Sequence, residues 1–241
     1  MTLANVLDKN LLDTLLKEMA NRYRKIDKKG YQSVEIIIVG GGSVVLNYGF
    51  RSSTMDLDAI INASDVIKDI AKELSNVYNI STHWFNSDFK YLSSYSDRLL
   101  EVSEHYKSYN DGKFTIRTIK SEYLVAMKMK SGRLYNNDIP DVIGILATEK
   151  RNGNEISYDQ IENAISFLYG NNTEIDQDII SFVKAFCEMS ENELWNEYDK
   201  MLNTTQLVNE EVTQDEFREV IKGKQDAKEL SAKIFLKHKG N

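Results

Sequence analysis

The chain has one proline, Pro140, and one cysteine, Cys187, in 241 residues, and it contains no glycine- or serine-rich stretch. A lone thiol excludes an internal disulfide. Together with an opening segment that lacks a basic and then apolar signal pattern, it predicts a reducing, cytoplasmic setting. No apolar run approaches the roughly 20 residues needed to cross a bilayer, so no membrane association is expected. With so little proline and no linker, only pattern shifts mark boundaries. They place a first domain over residues 1–150 and a helical C-terminal region over 151–241. A broadly basic character is also missing: 37 acidic against 30 basic side chains give a formal net charge of −7. That argues against an extended nucleic-acid surface and leaves room for a local patch.

Several chemistries fail on spacing. Gly40-x-Gly42 is followed by Val45 where a dinucleotide-binding turn needs a third glycine, and no Gly-Lys-Ser/Thr follows to make a phosphate-binding P-loop. Gly41-Gly42-Ser43-Val44-Val45 lacks the closing glycine of a serine-hydrolase elbow. His83, His105 and His238 lie too far apart to suggest a zinc motif, and the single cysteine adds nothing to one.

What is present centres on Glu35 to Asn62, EIIIVGGGSVVLNYGFRSSTMDLDAIIN. The β-branched run Glu35–Val39 predicts a buried strand stopping at three glycines. Ser43 is a suitable N-cap for a short helix carrying Val44, Val45, Leu46 and Tyr48 and closed by Gly49. A second strand is expected from near Thr54 through Ile61. Asp56 and Asp58 then point to one face and Leu57 to the other. Two carboxylates about 4 Å apart repel by roughly 4 kcal/mol at an effective dielectric near 20, and a divalent cation, Mg²⁺ or Mn²⁺, relieves that most simply. A glycine turn opening a helix supplies the complement, because backbone N–H groups at a helix N-terminus hold phosphate. Phosphate donors and carboxylate-bound Mg²⁺ belong together in phosphoryl and nucleotidyl transfer.

The order of strand, Gly-Gly-Gly-Ser, short helix and Asp-x-Asp resembles the nucleotidyltransferase superfamily that includes DNA polymerase β. More narrowly, GGGSVVLNYGFRSSTMDLDAII resembles a branch of small bacterial nucleotidyltransferase-like proteins related to the AbiE-type abortive-infection toxins. His83-Trp84-Phe85-Asn86, the lysine-bearing SEYLVAMKMKSGR over Ser121–Arg133, and DIPDVIGIL over 138–146 extend the likeness across residues 30–150. The resemblance implies an α+β fold: a nucleotidyltransferase-like mixed sheet with flanking helices, followed by the helical C-terminal region. It implies that Gly41, Gly42 and Ser43 hold the triphosphate of an NTP, that Asp56 and Asp58 carry Mg²⁺ and that Lys128 faces the departing pyrophosphate. Arg51 and Thr54 match the Arg-x-x-Thr ahead of the acids, and Arg133 is a further nucleotide contact. The implied acceptor is RNA, tRNA included, or a protein, in a toxin-antitoxin or phage-defence setting with an antitoxin as partner.

Each of these residues also has a plainer structural account. Lys128 can snorkel from an apolar helix, Arg133 can sit near a helix end, Asp138 can be an N-cap before Pro140 at a first-turn position, and Asp141 can sit in the first helical turn.

The remaining pattern predicts an amphipathic helix over residues 3–25, a helix from Ser64 to Val77 and a strand over Asn79–Phe85. A hairpin of Leu99–Tyr109 with Lys113–Ile119 is expected around Asn110-Asp111-Gly112. Helices follow over Tyr158–Tyr169, Ile175–Met189, Glu191–Leu202 and Thr213–Lys237. The superfamily places a third carboxylate on the hairpin, yet KFTIRTI has no acid; Glu101, Glu104 and Asp88 are the substitutes within reach in sequence. That gap supports a second expectation, a catalytically silent domain that binds a nucleotide or a partner through the same pocket.

Overall fold

Glycine, not a side-chain cap, starts the helix on which the fold turns. The computed structural model describes residues 6–27, 32–62, 65–132 and 137–207. In chain order the elements are β1 (Leu7–Asp8), α1 (Lys9–Ile26), β2 (Val34–Ile38), α2 (Gly40–Asn47), β3 (Ser53–Thr54), β4 (Leu57–Asn62), α3 (Val66–Tyr78) and β5 (Phe85–Asn86). Then come β6 (Ser103–Tyr109), β7 (Phe114–Ile119), α4 (Ser121–Ser131), α5 (Asp138–Arg151), α6 (Tyr158–Tyr169), α7 (Gln177–Glu188) and α8 (Glu191–Leu207). They form two compact units, one of β1–β7 with α1–α4 and α6, the other of α5, α7 and α8.

The first unit is built on a five-stranded mixed sheet of order β5-β4-β2-β7-β6. β2 runs antiparallel to β4 and parallel to β7, so the short α2 links two antiparallel neighbours, as its length predicts. Val34, Ile36, Ile38, Leu57, Ala59, Phe114 and Ile116 share one sheet face and are buried with the apolar stripes of α1 and α3. Trp84 is fully enclosed and its indole N–H donates to the Ala71 carbonyl at 3.0 Å, so burying that polar atom costs little. The β6–β7 hairpin turns through Asn110, Asp111 and Gly112, with φ of 54°, 55° and 82°. Asn and Asp adopt this left-handed region more readily than most residues, and glycine does so freely. α6 joins this unit through hydrogen bonds from Ser96 Oγ to the Leu168 carbonyl (2.7 Å) and from the Tyr169 hydroxyl to the Ser94 carbonyl (2.8 Å).

The second unit is helical. Ile143, Ile145, Val183, Phe186, Leu194 and Met201 are buried there. Lys150 Nζ donates to the Met189 carbonyl at 2.6 Å, and Arg151 pairs with Glu191 at 2.6 Å.

Several sequence expectations need correction. The first helix begins at Lys9, and residues 7–8 are instead a strand paired with Ser53–Thr54. Ser43 does not cap α2, which starts three residues earlier with Val39 at the N-cap. Thr54 belongs to β3 and the chain bends at Met55, so β4 begins only at Leu57. The strand expected over Asn79–Phe85 shrinks to Phe85–Asn86, and Leu99 and Leu100 lie in a 3₁₀ turn over Asp97–Leu100 ahead of β6. Asn137, not Asp138, is the N-cap of α5. Ser64 and the helix expected over Thr213–Lys237 lie outside the described residues.

A β-carbon on Gly42 would lie 2.5 Å from Leu57 Cδ1 and 2.9 Å from Ile38 Cγ2, both in the core. Gly42→Ala is therefore expected to destabilise the protein by about 1–3 kcal/mol, as overpacking does, read from the midpoint of urea unfolding. In the second unit, burial first and then Glu188 push the Cys187 thiol up to about 11. It should stay unmodified by iodoacetamide at pH 8 in the folded protein and react once urea unfolds the chain.

Candidate active site

Around the glycine turn, three elements of the first unit meet. Val39 N–H donates to the Asp58 carbonyl at 3.0 Å, which lays the end of β2 beside the start of β4. The next residue, Gly40, has φ of +57°, and a β-carbon there would lie 3.6 Å from Asp58 Oδ2. The left-handed backbone favours glycine at this position, and the carboxylate stands within ordinary contact distance of it.

The loop after α2 folds back onto the following glycine. A β-carbon on Gly41 would lie 2.9 Å from Arg51 Nη2 and 3.1 Å from Thr54 Oγ1, so a guanidinium and a hydroxyl rest against bare backbone. Arg51 is held from behind, with Nε donating to the Ser53 carbonyl at 3.0 Å. Ser53 and Thr54 pair in turn with Asp8 and Leu7. Lys9 Nζ donates to the Leu46 carbonyl at 2.6 Å, placing a cation on the C-terminal carbonyls of α2.

Exposure separates the turn into two layers. Gly40 and Gly41 are half-buried, whereas Gly42 and Ser43 are buried. The Ser43 hydroxyl accepts the Ile119 N–H at 3.3 Å and joins α2 to the end of β7. Two further bonds strengthen that joint: Asn47 Nδ2 to Thr118 Oγ1 at 3.0 Å, and the Tyr48 hydroxyl to Ser121 Oγ at 2.9 Å.

Of the two acids expected on one strand, only Asp58 belongs to β4; Asp56 precedes it, after the bend at Met55. Leu57 is fully buried between an exposed Asp56 and a half-buried Asp58. Asp58 shares its face with Ile60, and through the sheet register with Ile37 and Arg117, on the side away from α1 and α3. Arg117 is fixed by Ser103, Nε donating to its hydroxyl at 2.7 Å and Nη2 to its carbonyl at 2.6 Å.

No third acid completes the pair: among the described residues, no group of three His, Cys, Asp or Glu side chains is arranged to hold a metal ion. Extending the β2–β7 register by two residues sets Ile119 across from Val39, so the hairpin offers an apolar side chain in the row of Asp58. Glu104 is on β6, three strands from β4, or roughly 14 Å at the usual strand spacing. Glu101 is paired with Arg98 at 3.3 Å, and Asp88 follows β5 in a 3₁₀ turn.

Lys128 lies in the last part of α4 and is only 7% exposed; a lysine so enclosed needs anionic or carbonyl groups around it. Asp138 and Asp141 are buried in the first turn of α5 in the second unit, where Ser131 Oγ donates to Asp138. Arg133 lies outside the described residues. Sequence reasoning did not single out Gly40, Asn86 or Arg117. Gly40 was hidden within a run of identical residues, and Asn86 and Arg117 gain meaning only from strand register, Asn86 as the parallel partner of Asp58.

A family model described as a nucleotidyltransferase of unknown function, DUF6036, matches residues 14–152. The chain belongs to this family. No curated protein and no solved structure matches it. The matched residues of this DUF6036 family member include the glycine turn, both aspartates and Lys128, and the mixed sheet with flanking helices agrees with a nucleotidyltransferase-like fold.

Because the neighbours of Gly41 are the far ends of side chains, Gly41→Ala should leave stability within about 1 kcal/mol of wild type, in contrast to Gly42→Ala. It should displace Arg51 and reduce the thermal stabilisation given by Mg²⁺-ATP, measured as a smaller rise in Tm.

Proposed function

We propose that the protein is a divalent-metal-dependent nucleotidyltransferase that moves NMP from an NTP to an acceptor hydroxyl. The observation that carries this is the glycine turn, where Arg51 and Thr54 lie on Gly41 while Gly40 faces Asp58 Oδ2. A cation, a hydroxyl and the N-terminus of a helix converge on one side, which suits the β and γ phosphates. A carboxylate stands on the other side, where the α-phosphate would lie.

Two carboxylates suit a Mg²⁺ ion that arrives with its nucleotide, since Mg²⁺ is commonly held by one or two carboxylates together with substrate phosphates and water. Asp56 and Asp58 would hold it, and bound there it polarises the α-phosphate and lowers the pKa of the acceptor hydroxyl. The chain's own part is placement. Gly40 and Gly41 present backbone to the triphosphate, Gly42 and Ser43 fix α2 to the sheet beneath, and Arg51 neutralises phosphate charge. Lys128, and Arg133 beyond it in sequence, are assigned to the charge of the departing pyrophosphate. The acceptor oxygen forms its bond to the α-phosphorus as the α–β anhydride breaks. The acceptor we favour is RNA, in the toxin-antitoxin or phage-defence setting suggested by the likeness to AbiE-type proteins.

The absent third acid favours a second reading, a domain that binds NTP without transferring it. Purified protein incubated with Mg²⁺ or Mn²⁺, each α-labelled NTP and total cellular RNA or protein separates the two. Transfer is expected, with at least a hundredfold loss in Asp56→Ala/Asp58→Ala. Tight NTP binding with no labelled product of either class would establish the silent domain instead.

A further inference from the structure

At the β5 edge of the sheet, α3 overhangs a pocket of about 470 Å³. Its floor is apolar, made by Ile61 and Phe85. Lys68 and Lys72 stand over it, four residues apart and so on one side of the helix. His83, Asn86 and Asp88 form the opposite wall. Lys72 is exposed and forms no ion pair with the described residues, and Lys68 makes only a 3.7 Å contact with Asp65, 60% and 96% exposed respectively, which solvent screens. Asp88 is the one carboxylate lining the pocket, so two cations outnumber it locally in a chain whose formal charge is −7.

The sheet separates the pocket from the candidate active site. Phe85 is the parallel register partner of Leu57, and both lie with Ile61 on the face packed against α3, opposite the face of Asp58. The Asp88 N–H donates to Asn86 Oδ1 at 2.9 Å and fixes the turn that shapes the wall.

An apolar floor beneath two paired ammonium groups fits a flat heterocycle joined to a phosphate. We propose that this pocket binds a nucleoside-phosphate unit, either a free nucleotide or the terminal unit of an RNA, on the sheet face opposite Asp58. That binding does not rest on the transferase reading.

Binding is therefore measured without divalent cation, where the metal-dependent site is silent. The probe is a fluorescein-labelled five-residue oligoribonucleotide followed by anisotropy, with AMP as competitor. The full-length chain is compared with Lys68→Ala/Lys72→Ala and with the charge-matched control Lys17→Ala/Lys25→Ala. All four lysines are exposed on helices, where alanine is well tolerated.

The pocket pair is expected to weaken binding about tenfold and to reduce the slope of log K against log salt by about 1.4, two single-strand phosphate contacts' worth. The control should bind like wild type. Competition by AMP would identify a free nucleotide as the ligand; oligonucleotide binding that AMP does not displace would identify an RNA end. No binding of either probe, or the same affinity in the pocket pair as in wild type, would overturn the proposal. Failure of NTP transfer with this binding intact would remove the transferase reading and leave the pocket standing.

Discussion

The missing β-carbons of Gly40, Gly41 and Gly42 are the constraint on which the first unit depends. Each faces a different neighbour: the Asp58 carboxylate, the Arg51 guanidinium with the Thr54 hydroxyl, and the packed Leu57 and Ile38 side chains. At Gly42 the helix lies closer to β4 than a side chain would permit. That approach sets the N-terminus of α2 beside the strand bearing the acids, and it does so without a capping side chain. The positive end of the helix is thereby left facing outward, where an anion can meet it.

A turn with so little side chain cannot hold itself, and the surrounding bonds show where its rigidity comes from. β1 pairs with β3 and steadies the backbone that carries Thr54, while Lys9 at the start of α1 reaches the last carbonyls of α2. On the far side, Ser43, Asn47 and Tyr48 bind in turn to Ile119, Thr118 and Ser121. α2 is thus clamped at both ends, by the N-terminal segment and by the junction of β7 with α4. Small displacements of either clamp would move Arg51 relative to Asp58, which is how residues remote from the chemistry can govern it.

Much of this was legible in the amino-acid sequence wherever one local signal decided the outcome. Asn110-Asp111-Gly112 specified a hairpin because few other residues accept three consecutive positive φ values, and α6 spans Tyr158–Tyr169 as its periodicity predicted. Leu57 is buried between the two aspartates, as expected, although only Asp58 belongs to a strand. Signals failed where long-range pairing overrode them. Ser43 has the chemistry of an N-cap, yet its hydroxyl is drawn to a strand end 76 residues away. Leu7 sits in an apolar stripe that reads as helix, yet it pairs with Thr54, and Thr54 is thereby separated from the strand it seemed to begin. Arg117 and Asn86 were invisible as neighbours of the site because no sequence pattern encodes which strands lie side by side.

The same register clarifies the missing third acid. In the row of Asp58 the hairpin presents Ile119, and on the same face Arg117 is held rigidly by Ser103. An acid in the row of Asp58 would add to the repulsion within the aspartate pair; an isoleucine does not. Under the function proposed here, two carboxylates with Arg51 across the glycine turn would bind a bare cation weakly and bind it better when phosphate oxygens complete its shell. Metal and nucleotide would then enter as one species, and the site would distinguish a triphosphate-bound ion from a free one by having too few acids of its own.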